Sequence, residues 1–497
     1  MKKLFSKLLV VSAVMLFFQV HCSQVQVVPQ KSAQQQRTTL STLLKKDKSL
    51  IPQSKEILAP HRARKDWNFI VYFAANNNLH EFAITNIQQM LKVGSTQTLN
   101  TIIQLDELGA KEMTRYYIQK GSASPVFHSS NTNASISGTQ ESLYNFVQWT
   151  LQNYPANRHC LVLWNHGSGI KDPSIWGRYF LTRRNEAFLH NKNTGLLELN
   201  RKLSRQHAVL AYPQTMAHGR GIAFNDSFET YLTNQDLQIV LERISRELLN
   251  GKKLDILCMD ACMMEMVEVG SQLKNAVNYM VGSEEVEPGS GYDYSFVLAP
   301  FERGTLEPDI FAKHIVQSYA AQYHQTHADY SQSAISTMLM PQLEENFAQI
   351  TKLLTDLISS SSGTICAKII RDIRLSHTST LEFTDPDYID FGKFYAALYQ
   401  SLGNIRKITK EQSAISTLKE RVAQGIAILH NMIVDNVAGS ALNQATGLSF
   451  FFPSRLVHSS YLKTVFDRKT RWSEFLNRFL KVRYEQQKPI AKLQKHR

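Results

Sequence analysis

The chain has 497 residues, 43% of them hydrophobic and 20% charged. That is ordinary for folded protein but too long for one compact core, so roughly two to four domains are expected. The net charge of +13 invites a nucleic-acid reading, but the excess is local: residues 1–23 carry +3, 24–65 carry +7, 178–220 carry +6 and 481–497 carry +5, leaving −8 for the rest. The basic runs therefore read as solvated chain around an acidic body, and a nucleic-acid partner is excluded.

In chain order, Lys2 and Lys3 are followed by an apolar run from Leu8 to Phe18. A positive start with a short apolar core is the pattern of an export signal, too short to remain as a membrane helix. The run ends at Gln19-Val20-His21-Cys22-Ser23. A signal peptide over 1–22 is expected, so the protein is read as exported: secreted, periplasmic or held at the cell envelope. A lipid anchor on Cys22 is the weaker alternative, because Gln19 and His21 suit a lipoprotein cleavage site poorly. No other stretch has the ~18 apolar residues of a membrane helix. Residues 23–65, rich in Gln, Ser, Thr and Lys, read as a linker or pro-segment.

The folded part is expected to open at Trp67, with a buried strand through Phe73 and a turn at Asn76-Asn77-Asn78. Further strands are expected at 101–105, 160–164, 254–259 and 279–282, and helices at 142–153, 234–249 and 263–273. Strands alternating with helices predict an α/β fold, with a mostly parallel sheet covered on both faces. Residues 178–220 interrupt the order as a basic insertion with no clear strand. After residue 330 the pattern changes to long helices, near 341–359 and 410–432, with a late strand at Gly447–Pro453. This divides the chain into a first body over 66–329, a smaller α+β region over 330–480 and a basic tail over 481–497.

Two strand ends carry reactive side chains. Leu161-Val162-Leu163-Trp164 delivers Asn165-His166-Gly167, and Leu254-Asp255-Ile256-Leu257 delivers Cys258-Met259-Asp260-Ala261-Cys262. A thiol with a pKa near ~8.5 is mostly protonated at neutral pH, and a nearby imidazole favours or generates the thiolate. The helix expected from Met263 would add its positive N-terminal end beside Cys262. Gly167 allows close approach of a substrate backbone, and the N–H groups of Gly167 and Cys262 are candidate oxyanion donors. Asp260 reads either as a substrate-binding acid or as a helix N-terminal charge. Cys258, Cys262 and His166 as zinc ligands form a weaker alternative, since Cys-x-x-x-Cys lacks a second matched pair. The five cysteines imply no disulfide framework, and Cys160 and Cys258 read as small core residues.

The blocks Asn165-His166-Gly167-Ser168-Gly169 and Asp260-Ala261-Cys262-Met263-Met264-Glu265 resemble the clostripain family of cysteine peptidases, of the caspase, legumain and gingipain clan. Blocks at Trp67–Leu79, Gly221–Asp226, Ser283–Gly289 and Gly447–Pro453 agree in order. The resemblance implies a caspase-like sheet, Cys262 as nucleophile and His166 as general acid and base. It also implies cleavage of proteins or peptides after Arg or Lys, with Asp260 in the specificity pocket, and self-processing, here expected within 178–220. The chain departs from many relatives at Asn225 and Ser290, where acids are expected, so Asp293 is the candidate second pocket acid. No metal is required for the implied chemistry. Calcium, needed by some relatives, is an alternative role for Glu284, Glu285 and Glu287, which otherwise read as a solvated loop rim. Two rivals remain: an inactive surface binding protein, and a transpeptidase using the same pair.

Overall fold

The computed structural model describes residues 40, 63–110, 112–128, 136–171, 188–190, 197–199, 221–228, 230–360, 363–375, 380–403 and 412–482. The expected signal peptide, Cys22, nearly all of the 23–65 segment, most of the basic tail, and Arg183, Arg184, Arg201, Lys202, Arg205 and Arg220 lie outside them.

A nine-stranded sheet organises the body, in the order β14-β12-β11-β10-β5-β1-β2-β3-β4. Its strands are β1 (Lys65–Ala75), β2 (Leu99–Glu107), β3 (Thr114–Gln119), β4 (Ser122–His128), β5 (Ala156–Trp164), β10 (Leu254–Asp260), β11 (Val277–Gly282), β12 (Ser331–Ser336) and β14 (Ile433–Ala438). The central strands β11, β10, β5, β1 and β2 are parallel, and the outer pairings are antiparallel. The parallel strands form because their apolar, β-branched and aromatic runs are buried on both sides.

Alternation along β1 divides the core. Ile70, Tyr72 and Ala74 face one apolar layer, while Phe69, Val71 and Phe73 face the other. The second layer is closed by helices α1 (His80–Met90), α5 (Tyr294–Leu298) and α6 (Pro308–Tyr323). The first is closed by α2 (Gln140–Asn153), α3 (Asn234–Leu248) and α4 (Val267–Leu273), and by the C-terminal helices, including Met340–Ser359 and Gln412–Met432. Local signals set several helix starts. Thr139 caps α2 by accepting from Ser142 N, and Thr233 and Asp236 form a reciprocal capping box on α3.

The smaller C-terminal region is continuous with the sheet, to which it contributes β12 and β14. The late strand is shorter than expected: β15 (Ser449–Phe451) pairs with β13 (Tyr388–Asp390) beside the main sheet. The insertion, expected to hold no strand, contains an antiparallel pair, β6 (Phe188–His190) and β7 (Leu197–Leu199). Strands of three residues carry too little alternation to register in a sequence pattern. A second small pair, β8 (Gly221–Asn225) and β9 (Thr230–Thr233), precedes α3. Cys160 and Cys258 are buried as expected, with sulfurs 3.8 Å apart. No helix among the described residues is long and apolar enough to cross a membrane.

Candidate active site

From β1 the chain moves to β2 on one side, and from β5 it moves to β10 on the other. In open α/β sheets such a reversal leaves a crevice beyond the strands' carboxyl ends. The chemistry-bearing residues lie there, after β1, β5 and β10.

Trp164 of β5 and Asp260 of β10 are register partners on adjacent parallel strands. Asn165 N donates to Asp260 O at 3.2 Å, which continues the pairing by one residue. His166 and Cys262 are each two residues beyond the Trp164–Asp260 pair, so the sheet delivers both to the same edge. The following backbones touch: a Cβ on Gly167 would stand 2.4 Å from Cys262 O and 3.2 Å from Ala261 Cβ. Glycine at 167 is thus required by close approach of the two loops, and the two expected oxyanion residues, Gly167 and Cys262, lie on contacting segments.

Asn165 fixes the His166 loop from beneath. Its Nδ2 donates to Ala74 O and to Phe224 O (3.1 Å), and its Oδ1 accepts from Phe224 N at 2.8 Å. Gly167 forms a bridge with Ile222 of β8. On the far side Tyr388 Oη donates to Ser168 O at 2.8 Å and accepts from Ile170 N and Lys171 N. Lys171 Nζ pairs with Asp385 and Asp387, each at 2.7 Å, in a largely buried clasp. The His166 ring is half-buried, and burial lowers its imidazole to about 4. Its Nε2 lies 2.9 Å from Asn78 Oδ1, beyond the end of β1. Asn78 is a residue the motifs did not single out. Its signals were three consecutive asparagines past a buried strand and its place in the Trp67–Leu79 block, neither of which names a role.

The Cys262 loop departs from expectation. A helix was expected from Met263, but α4 starts at Val267, because Met263 is left-handed (φ 57°) and Met266 is extended (φ −116°, ψ 148°). The N-terminus of α4 therefore does not begin beside the thiol. Instead Glu287 N donates to Cys262 Sγ at 3.4 Å. The loop is pinned to the segment after β11 by Met263 N to Glu285 O and Glu265 N to Ser283 O, each 3.0 Å.

Asp260 is 4% exposed. Its Oδ2 accepts from Tyr294 Oη at 2.7 Å and from Tyr292 N at 3.3 Å, and the Glu287 carboxyl is its acidic neighbour. Burial raises both carboxyls. The Gly291 backbone is so close that a Cβ there would lie 2.4 Å from Asp260 Oδ1. Asp293 caps α5, its Oδ1 accepting from Ser295 N (2.9 Å) and Ser295 Oγ (2.6 Å). The acid that meets Asp260 is thus Glu287. Ser290 Oγ is 2.7 Å from Tyr323 Oη, and Asn225 Nδ2 donates to Asp106 Oδ2 at 2.8 Å.

Glu284, Glu285 and Glu287 do not form a solvated rim. They are 1%, 2% and 7% exposed. Glu284 accepts from Gly447 N (3.1 Å) and Glu285 from Thr384 N (2.9 Å), so these acids satisfy backbone donors of the C-terminal region. Among the described residues no group of three or more His, Cys, Asp or Glu side chains is gathered to hold a metal ion.

The clostripain family model matches residues 71–189 and 206–487, skipping a stretch inside the basic insertion. The chain belongs to the clostripain family. It is accordingly a cysteine-type peptidase whose substrates are proteins or peptides. No curated protein is matched by the sequence. Two solved structures share the fold. One is a secreted C11 cysteine protease from Bacteroides thetaiotaomicron (14% identity, 82% of this chain and 100% of that chain, TM-score 0.52). The other is an inactive zymogen C11 protease from Parabacteroides distasonis (14% identity, 82% and 99%, TM-score 0.53). In the family's setting, the touching His166 and Cys262 loops are the candidate centre.

Proposed function

We propose that the protein is an exported endopeptidase that cleaves after Arg or Lys, with Cys262 as nucleophile and His166 as proton carrier. The observation that carries this reading is the Trp164–Asp260 register, which puts the imidazole and thiol residues at matching positions beyond two adjacent strands. His166 takes the proton of the Cys262 thiol, the thiolate attacks the substrate carbonyl, and the oxyanion is met by the Gly167 and Cys262 amides. The amine leaves with a proton from His166, giving a thioester. His166 then takes a proton from water as that water attacks the thioester, releasing the acid and regenerating the thiol. This sequence needs no metal. The Glu287 amide at Sγ favours the thiolate over the thiol. The buried Asp260–Glu287 carboxyl pair, whose Asp260 is two residues before the nucleophile, supports a basic preference, because a cation entering from water would find a negative partner there.

The reading includes self-cleavage within 178–220, where basic residues stand between the two strands that carry the pair, and export directed by residues 1–22. The test is an Arg-containing chromogenic peptide under reducing conditions, with wild type and Cys262→Ala, with and without iodoacetamide. Expected are cleavage by wild type, loss in the variant, and alkylation mapped to Cys262. Full activity in Cys262→Ala, with labelling at another thiol, would overturn the assignment. On denaturing gels, wild type should give two fragments with a new N-terminus after Arg or Lys in 178–220, and Cys262→Ala one chain. An active wild type that stays intact would end the self-processing reading.

A further inference from the structure

We infer that Asn78 is the positioning residue of His166, holding Nε2 protonated so that Nδ1 is the basic nitrogen of the ring. The inference rests on the reading of His166 as the proton carrier. Its observation is independent of that reading: Asn78 Oδ1 is 2.9 Å from His166 Nε2, across 88 residues of sequence. A carboxamide oxygen only accepts, so the nitrogen facing it must carry the hydrogen, and the other nitrogen keeps its lone pair.

The turn is built to aim this one side chain. Asn77 Nδ2 donates to Ala74 O (2.8 Å) and Phe224 O (2.9 Å), while its Oδ1 accepts from Leu79 N at 2.9 Å. Asn76 Nδ2 donates to Asp106 Oδ1 (3.2 Å), its Oδ1 accepts from Ser227 Oγ (2.7 Å), and its carbonyl accepts from Asp226 N. Two of the three asparagines thus lock the turn to β1, β2 and the β8–β9 loop. The third reaches the histidine. Asn78 Nδ2 is buried without a hydrogen-bond partner. The engaged atom of this side chain is therefore its oxygen, which meets the ring.

The arrangement also suits the electrostatics of the ring. The titratable groups on segments packed around it are Cys262 and Asp260 on the neighbouring strand end, Glu287 on the loop whose amide meets the thiol, His80 two residues past Asn78, and the Lys171–Asp385–Asp387 clasp on the far side of its own loop. Burial, rather than any charge among these, lowers the imidazole. A neutral carboxamide orients such a ring without promoting its protonation, whereas a carboxylate at the same position would do both.

The test uses the full mature chain with Asn78→Ala and Asn78→Asp beside wild type, His166→Ala and Cys262→Ala. Active sites are titrated with an irreversible thiol-directed electrophile, so that misfolded protein drops out. Asn78→Ala is expected to lower kcat per active site about tenfold to hundredfold, the scale on which a misplaced catalytic group loses rate, with KM changed little. Asn78→Asp is expected to retain more kcat than Asn78→Ala and to move the acidic limb of the pH profile upward by about one unit or more. A merely structural role would lower the titre and the melting temperature but leave kcat per site and both limbs in place. That outcome, or wild-type kinetics in Asn78→Ala while His166→Ala is dead, overturns the inference alone. Full activity in His166→Ala overturns the reading beneath it.

Discussion

A methyl group on Gly167 would sit 2.4 Å from the carbonyl oxygen of Cys262 and 2.8 Å from Met264 Cγ. Backbone cannot yield as a flexible side chain can, so Gly167→Ala should push the two candidate loops apart. The expected cost is about 1–3 kcal/mol of stability, with a larger loss of kcat/KM. Urea melts and peptide assays on the same samples check this. Unchanged values in both would mean that the loops have room the structure does not show.

Asp260→Asn keeps shape while removing charge. It should lower kcat/KM for Arg and Lys peptides about tenfold to hundredfold, corresponding to ~1.5–3 kcal/mol for a charge-assisted pair, with little effect on peptides carrying Ala at that position. Glu287→Gln should act in the same direction, because its carboxyl is the acidic neighbour of Asp260. Equal losses for all peptides would assign the pair to folding instead.

His166 makes a prediction about acid. Burial lowers its folded pKa to about 4, against ~6.5 for an ordinary imidazole. As pH falls through the ordinary value, the unfolded chain takes up a proton that the folded chain refuses. The residue therefore penalises the native state increasingly as pH drops from 6.5 towards 4 and has no such effect above neutrality. His166→Gln should lose less unfolding free energy than wild type across that window. Parallel curves for the two proteins would contradict the burial of the ring.

Lys171 is paired with two carboxylates at 2.7 Å, and Asp385 and Asp387 are themselves buried. Lys171→Met strands both acids and should cost about 3–5 kcal/mol. Adding Asp385→Asn and Asp387→Asn should recover much of it. If the single variant is as stable as wild type, the clasp contributes nothing to holding the His166 loop.

The parallel strands and the two reactive strand ends were legible because buried strands leave uninterrupted apolar runs, and both runs stop just before a chemically distinctive residue. What lay near in sequence but depended on backbone sign was not legible. The residues from Met263 to Val269 carry helical spacing, yet the left-handed Met263 delays the helix to Val267. Long-range pairing was hidden as well. The acids at 284 and 285 find their donors 163 and 99 residues later, so their charge suggested solvent. Asn78 sat inside a block already noted, but its role became visible only once β5 brought His166 beside β1.

The strand order has a further consequence. Every strand on the β5 side of the sheet, β1 to β5, precedes residue 172, and every strand on the β10 side, β10, β11, β12 and β14, follows residue 220. The sheet is therefore two half-sheets, each contiguous in the chain, that meet along one seam. His166 hangs from one bank and Cys262 from the other. A slip along the seam by two residues, ~6.6 Å, would part imidazole from thiol without disturbing a single strand pairing inside either half. Whatever tightens or loosens that seam governs the chemistry of both banks at once.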